Sequence, residues 1–358
     1  MKICMTMAHF ALSNGVARSA IAIANILAGK PNVEITLIPI FRIQHEAVDY
    51  LDPKVKVKKV FGFYFHGFAK LLKLLPPKVL YKLVVKDKYD IEIAFQYEIP
   101  TIAIAGSTNK SAKHFCWMHS YDDNLTIRES YLKMDKMVCV SKANALRLSQ
   151  ELKSNIPIDY CYNPIDDKFV RQQGNEIIEL EKNKNVQFVT VGRLHHQKGY
   201  SMLLKCCHRL IKDGYDFSLW IVGDGELMDE LSKESSKLSL GNVVTFTGKQ
   251  NNPHKFTSKA DIFVCSSIWE GYSTACTEAI MLGVPVITTD VSGGKEIIEE
   301  SECGIVTEIN EDSLYLGMKK ILDNPTLIEN WKKTLDRTRV KFSQEVREQQ
   351  LFNILGIK

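Results

Sequence analysis

What this chain lacks narrows it first. No apolar run in its 358 residues approaches the roughly 20 that a bilayer-spanning helix needs. Its opening stretch has one lysine and a short apolar run ending at His9-Phe10-Ala11-Leu12-Ser13-Asn14. A signal peptide would need a longer apolar region and a small-residue cleavage site, so the stretch reads as a first β-strand. The nine cysteines form no C-x-x-C pair and no metal-type spacing with histidine. An odd, unpatterned set predicts reduced, mostly buried thiols and a cytoplasmic setting. No two aspartates stand at i, i+2, the arrangement a metal-dependent transferase would normally display. Internal repeats, low-complexity tracts and Pro- or Gly-rich linkers are also missing.

What is present describes a globular chain, 45% hydrophobic and 25% charged, of a length that suits two domains. Its charge is uneven. Residues 1–165 hold 22 basic against 14 acidic side chains, while the remainder holds 24 against 28. Lys54 to Lys88 alone contains ten lysines and one acid, Asp87, so something negative is expected to face the first half.

Both halves alternate short β-branched runs with helical spacing, the pattern of parallel sheets flanked by helices. Strands are predicted at Lys2–Thr6, Glu34–Pro39, Ile91–Phe95, His114–Met118 and Met137–Val140. After Asn163-Pro164 they restart at Gln187–Val191, Ser218–Val222, Val243–Thr247, Ile262–Cys265 and Val284–Thr288. The spacing predicts a helix over Val16–Ala28 after the loop Ser13-Asn14-Gly15, and polar Asn175–Asn185 reads as a connection. The expected domains are 1–165 and 166–340, with a terminal helix 341–358 rejoining the first. Ligands of such folds bind at the carboxyl ends of strands, which directs attention to the loops there.

Two of those loops carry chemistry. Ser266 to Ala279 follows an apolar strand and enters a helical pattern at Cys276–Leu282. Gly271, Ser273 and Thr274 free backbone N–H groups at a helix N-terminus, where phosphate is favoured. Glu270 and Glu278 would repel that anion unless they accept hydrogen bonds from neutral hydroxyls, such as those of a sugar and a ribose. Gly192-Arg193-Leu194-His195-His196-Gln197-Lys198-Gly199 likewise follows a strand and precedes a helix. Arg193 and Lys198 there can neutralise charge developing on a diphosphate leaving group.

With these motifs the sequence resembles family 4 of the retaining glycosyltransferases, whose GT-B fold sets two Rossmann-like α/β/α domains facing across a cleft. The resemblance rests on Glu270…Glu278 with seven residues between, on Gly192–Gly199, and on the turn Gly223-Asp224-Gly225. It covers nearly all of the C-terminal half and is looser before it. It implies that Glu270 bonds donor-sugar hydroxyls and Glu278 the ribose. Arg193, Lys198 and the backbone of Ser273, Thr274 and Ala275 would hold the diphosphate, with Gly223 nearby, and Lys249 and Gln250 would line the base. In the first half it implies that Gly15 lies near the diphosphate and that His119 contacts the transferred sugar. It further implies a nucleotide-sugar donor, a UDP-sugar before GDP-mannose, and a saccharide or lipid-linked saccharide acceptor in capsule, exopolysaccharide or lipopolysaccharide assembly. No cofactor or metal is expected, since Arg193 and Lys198 can do the charge neutralisation.

The basic stretch bears on the acceptor side. Lys54–Lys58 alternates like an exposed strand, and two amphipathic helices, Phe68–Leu75 and Lys78–Lys86, flank Pro76-Pro77. Their apolar faces either complete the domain core or lie on an anionic membrane surface. No recognised nucleic-acid motif accompanies the lysines. Three rivals remain at this point. A nicotinamide-dependent oxidoreductase lacks the last glycine of its fingerprint at Met228. A GT-B phosphorylase or epimerase, and a non-catalytic GT-B binding partner of another glycosyltransferase, share the fold.

Overall fold

A computed structural model describes residues 1–12, 15–123, 125–178, 180 and 185–357. Ser13 and Asn14 of the first loop therefore lie outside the described residues, as do Glu179 and residues 181–184 of the polar connection. The chain divides into two compact units. The first comprises Met1–Pro164 and Arg347–Lys358, the second Ile165–Val346. The division falls one residue before the expected 165/166 boundary, and near the other end it falls inside the helix Gln344–Leu355. That helix is shorter than the expected 341–358, because Arg339–Phe342 forms a separate 3-10 turn.

The first unit is built on a seven-stranded parallel sheet. Its strands are β1 (Lys2–Phe10), β2 (Glu34–Ile43), β3 (Lys56–Val57), β4 (Ile91–Ala94), β5 (Lys113–Met118), β6 (Lys136–Cys139) and β7 (Ile158–Tyr160). They lie in the order β3-β2-β1-β4-β5-β6-β7. The second unit holds β8 (Gln187–Val191), β9 (Ser218–Val222), β10 (Val244–Gly248), β11 (Ile262–Cys265), β12 (Val286–Thr289) and β13 (Gly304–Thr307). Their order is β10-β9-β8-β11-β12-β13. Both orders are doubly wound, with the direction of winding reversing between β1 and β4 and between β8 and β11. The central strands are apolar on both faces because helices cover both: Phe188, Val189, Ile262 and Val264 are fully enclosed.

Several boundaries depart from the expected ones for identifiable reasons. Pro285 has no N–H to give a ladder, and β12 starts two residues later than the expected Val284, at Val286. The Lys54–Lys58 strand contracts to Lys56–Val57, since Pro39 in β2 cannot donate to it; Lys58 and Val60 only donate onward to Leu37 and Pro39. The two basic helices run Phe68–Lys73 and Pro77–Val84, with Pro77 in the first turn, where its missing N–H costs nothing. Their inward residues Phe68, Leu72, Leu80, Tyr81 and Val84 belong to the core of the first unit. Gly106 at the end of the helix Ile99–Ala105 makes that packing possible, because a β-carbon there would stand 2.0 Å from the Pro77 carbonyl oxygen.

Candidate active site

The reversal between β8 and β11 places two loops side by side, and they are the two singled out in the sequence. The loop after β8 runs through Gly192–His195 into the 3-10 turn His196–Lys198, and the helix Tyr200–Lys212 follows. The loop after β11 runs from Ser266 to the helix Thr274–Met281. That helix starts two residues earlier than expected, because Ser273 serves as its N-cap and its hydroxyl accepts from the Cys276 N–H at 3.4 Å. The first-turn N–H groups of Thr274 and Ala275 then have no intrahelical acceptor, which is what an anion requires.

The loops are stitched together by the backbone. Gly199 has φ +64°, and a β-carbon on it would stand 2.1 Å from the Ser266 carbonyl oxygen, so no other residue fits there. The Ser266 hydroxyl donates to the Lys198 carbonyl at 2.8 Å. Ile268 N–H donates to the Gln197 carbonyl at 2.7 Å, and the Gln197 amide returns a bond to the Trp269 carbonyl at 2.9 Å.

At the centre of this seam the Lys198 ammonium donates to Glu270 Oε1 at 2.5 Å, and the Ser267 hydroxyl donates to the same oxygen at 2.9 Å. The Glu270 side chain is only 11% exposed. Burial by itself would depress the Lys198 pKa, but the charge and hydrogen bond of Glu270 outweigh it and raise the value. Lys198 therefore stays cationic across the neutral range. A recess beside the pair is lined by Thr190, Lys198, Ser266, Ser267, Ser273 and Ala275 among others.

The other expected residues take definite places. Arg193 is exposed and has no carboxylate partner among the described residues. Glu278 lies partly buried, with its Oε2 3.9 Å from His254 Nδ1. Gln250 donates its amide to the Thr247 carbonyl at 2.7 Å, while Lys249 is exposed just past β10. Gly223 has no N–H to spare, because it donates to the Gly248 carbonyl at 3.0 Å. It shapes the site by close packing against Gly192.

Gly15 and His119 belong to the first unit. Gly15 opens the helix Gly15–Ala28. His119 follows β5, with its ring edge-on to Phe95 at 4.5 Å and its Nε2 without a partner. Burial pushes its pKa down to about 3, against a smaller upward pull from a bond with the Phe95 backbone. It is a neutral imidazole at working pH. A histidine whose folded pKa lies below its unfolded value takes up protons more readily when unfolded. Stability should therefore be intact above pH 6.5 and fall as pH drops from 6.5 toward 3. His119→Gln is expected to flatten that acid limb in melting temperatures measured between pH 6.5 and 4. An unchanged limb would mean the ring takes up its proton inside the fold.

Sequence reasoning missed Gln197, Ser266 and Ser267. Such polar residues in a loop look like solvated surface; only their bonds reveal that Ser267 aims Glu270 within its own loop and that Ser266 anchors Lys198 across to the other. It also missed that Lys198 and Glu270 meet, having treated the acid as facing a hydroxyl from the outset.

Residues 172–337, which include both loops, match the family described as glycosyl transferases group 1. This chain carries a glycosyl transferases group 1 domain. The chain is also similar to an N-acetylgalactosamine-N,N'-diacetylbacillosaminyl-diphospho-undecaprenol 4-alpha-N-acetylgalactosaminyltransferase of Campylobacter jejuni. That alignment is 32% identical over 220 residues, covering 61% of this chain and 58% of the relative. The chain thus spans little more than half the length of the relative it matches at that identity. A UDP-Gal:alpha-D-GlcNAc-diphosphoundecaprenol alpha-1,3-galactosyltransferase of Escherichia coli is 24% identical over 348 residues, with 88% of this chain and 87% of the relative covered. Among solved structures, Anabaena HepE in complex with UDP superposes with a TM-score of 0.78 at 16% identity, covering 99% of this chain and all of that one. The chain therefore has the GT-B fold of two Rossmann-like domains.

Proposed function

We propose that this chain transfers a hexose or N-acetylhexosamine from a UDP-sugar to a saccharide or lipid-linked saccharide in surface-polysaccharide assembly. The observation that carries the reading is the part-buried Lys198–Glu270 pair at the switch point of the second sheet, beside the open N–H groups of the helix Thr274–Met281. Two relatives named for transfer to diphospho-undecaprenol-linked sugars, one of them from UDP-Gal, support the donor and acceptor classes.

In this reading the donor's diphosphate takes Lys198 as counter-ion, together with Arg193 and the N–H groups of Thr274 and Ala275. Glu270, relieved of part of its pairing, accepts hydroxyls of the sugar, and Glu278 accepts those of the ribose. The glycosidic C1–O bond to the diphosphate breaks as the acceptor oxygen bonds C1 on the same face, which retains the anomeric configuration. The acceptor's proton passes to the departing phosphate oxygen. Lys198 and Arg193 neutralise the charge that develops there, so the proposal needs no divalent metal.

Thermal melting in the presence of UDP, GDP, ADP, NAD and their sugar conjugates, with and without EDTA, tests the reading. A ligand that binds only the native state raises the melting temperature by mass action, by about 2.7 kcal/mol of stability at a hundredfold excess over its dissociation constant. A shift with UDP compounds that survives EDTA and disappears in Glu278→Ala is expected. No shift with any nucleotide would favour a GT-B protein that binds another glycosyltransferase without catalysis.

A further inference from the structure

The lysine-rich stretch poses a question that its helical periodicity leaves open, because its apolar residues could all belong to the core. The structure separates two sets. Phe68, Leu72, Leu80, Tyr81 and Val84 point inward and are buried. Phe63, Phe65, Leu71, Leu74, Val79 and Leu83 point outward and are exposed, Leu74 by 80%. Six of the 20 exposed large apolar side chains of the described residues thus fall within 21 consecutive positions, 63 to 83. A solvated helix face has no reason to be built this way.

The outward residues are held together as one surface. The Phe63 and Phe65 rings stack on Phe68, at 5.2 and 4.9 Å, and so sit at the start of the helix Phe68–Lys73. That helix and Pro77–Val84 both pack on the helix Ile99–Ala105. Lysines alternate with the exposed leucines. Lys73 is paired with Glu98 at 2.8 Å, but Lys70, Lys78 and Lys82 are exposed and have no carboxylate partner among the described residues. From Val60 to Lys86 there is no acidic residue at all. The other two paired lysines of the stretch lie elsewhere, Lys56 against Glu34 and Lys58 against Asp87, so the surface excludes its strand portion.

We propose that Phe63, Phe65 and the outer faces of the helices Phe68–Lys73 and Pro77–Val84 form a docking surface for an anionic phospholipid bilayer. The apolar side chains enter the acyl boundary while Lys70, Lys78 and Lys82 meet headgroup phosphates. Charge complementarity selects this occupant: a soluble protein partner for so apolar a patch would not call for unneutralised lysines between the leucines. No helix of the described residues is long and apolar enough to cross a membrane, so the contact is with one leaflet only.

Flotation of the full chain with vesicles tests this. Binding is expected to vesicles of equal phosphatidylcholine and phosphatidylglycerol, and not to phosphatidylcholine alone. Each of Lys70→Ser, Lys78→Ser and Lys82→Ser should lower the partition coefficient about fivefold. Phe63→Ser with Phe65→Ser should lower it at least tenfold. The three lysines are exposed, with no carboxylate partner among the described residues, so their variants should melt where the parent does. The double phenylalanine variant loses its stacking on Phe68 and should melt slightly lower, and all should keep the UDP shift. That readout separates failure of this surface from failure of the donor reading. Equal binding to both vesicle types, no binding, or binding that the variants leave unchanged would overturn the proposal. So would a concentration-dependent dimer that Phe63→Ser abolishes in a chain that does not bind vesicles.

Discussion

Lys198→Ala should lower kcat/KM for sugar transfer by about 30- to 5,000-fold, equivalent to about 2–5 kcal/mol of transition-state stabilisation. Two losses combine in that number. The first is the cation facing the diphosphate as its negative charge grows. The second is subtler: with the ammonium gone, the Glu270 carboxylate, 11% exposed and fixed by Ser267, stands unpaired beside the anion that must bind. A double-substitution cycle separates them. Glu270→Gln added to Lys198→Ala removes the stranded charge and should recover part of the donor affinity, although not the turnover. Lys198→Arg keeps the charge but enlarges a head group whose stem already lies close to the space beside Gly192, so it should recover little. Initial rates with a UDP-sugar donor and the melting shift by UDP measure the two quantities independently. A Lys198→Ala variant within twofold of the parent rate would remove this pair from the mechanism.

The pair also shows where sequence reading stops. The alternation of short apolar runs revealed two parallel α/β units, because a strand buried on both faces can hardly be written any other way. β8, β9 and β11 were legible to the residue. β7 and β13 were not, since three or four residues at a sheet edge leave almost no pattern. Within the site, glutamate, arginine, lysine and clustered glycines stood out because each is costly in a loop without a purpose. Their mutual arrangement did not. That Lys198 touches Glu270 across 72 positions depends on β8 and β11 being neighbours, a fact of topology absent from either segment alone. Ser266 was silent for the same reason, since it bonds the Lys198 carbonyl across the two loops, whereas the local bond of Ser267 to Glu270, three residues on, leaves no pattern to read. The lysine stretch was ambiguous because periodicity reports that a helix has an apolar side; here the buried face accounted for only part of the apolar residues.

Gly223→Ala should destabilise the protein by about 3 kcal/mol or more, a loss as large as removing a buried side chain although nothing is removed. At φ +146° a β-carbon is already strained, and here it would stand 2.0 Å from the Gly192 carbonyl oxygen and 3.0 Å from its carbonyl carbon. Both obstacles are backbone, so no rotamer change relieves them. The neighbouring strands cannot separate cheaply either. Gly192 N–H donates to Val222 and Leu194 N–H to Asp224, each at 3.0 Å, and Leu227 N–H donates back to Leu194 at 3.1 Å. The loop bearing Arg193 has to move, and UDP affinity should fall with stability. For a unit of this size the melting midpoint should drop by about 6–12 °C. Gly214→Ala supplies the comparison: it shares a positive φ, +84°, but a β-carbon there meets nothing within 4 Å, so it should cost only about 1 kcal/mol. Gly241→Ala, in open space with ordinary backbone, should be neutral or slightly stabilising. If Gly223→Ala proves no worse than Gly214→Ala, close packing is not why this turn needs glycine. Its role would then have to be contact with the nucleotide itself, despite an N–H already given to Gly248.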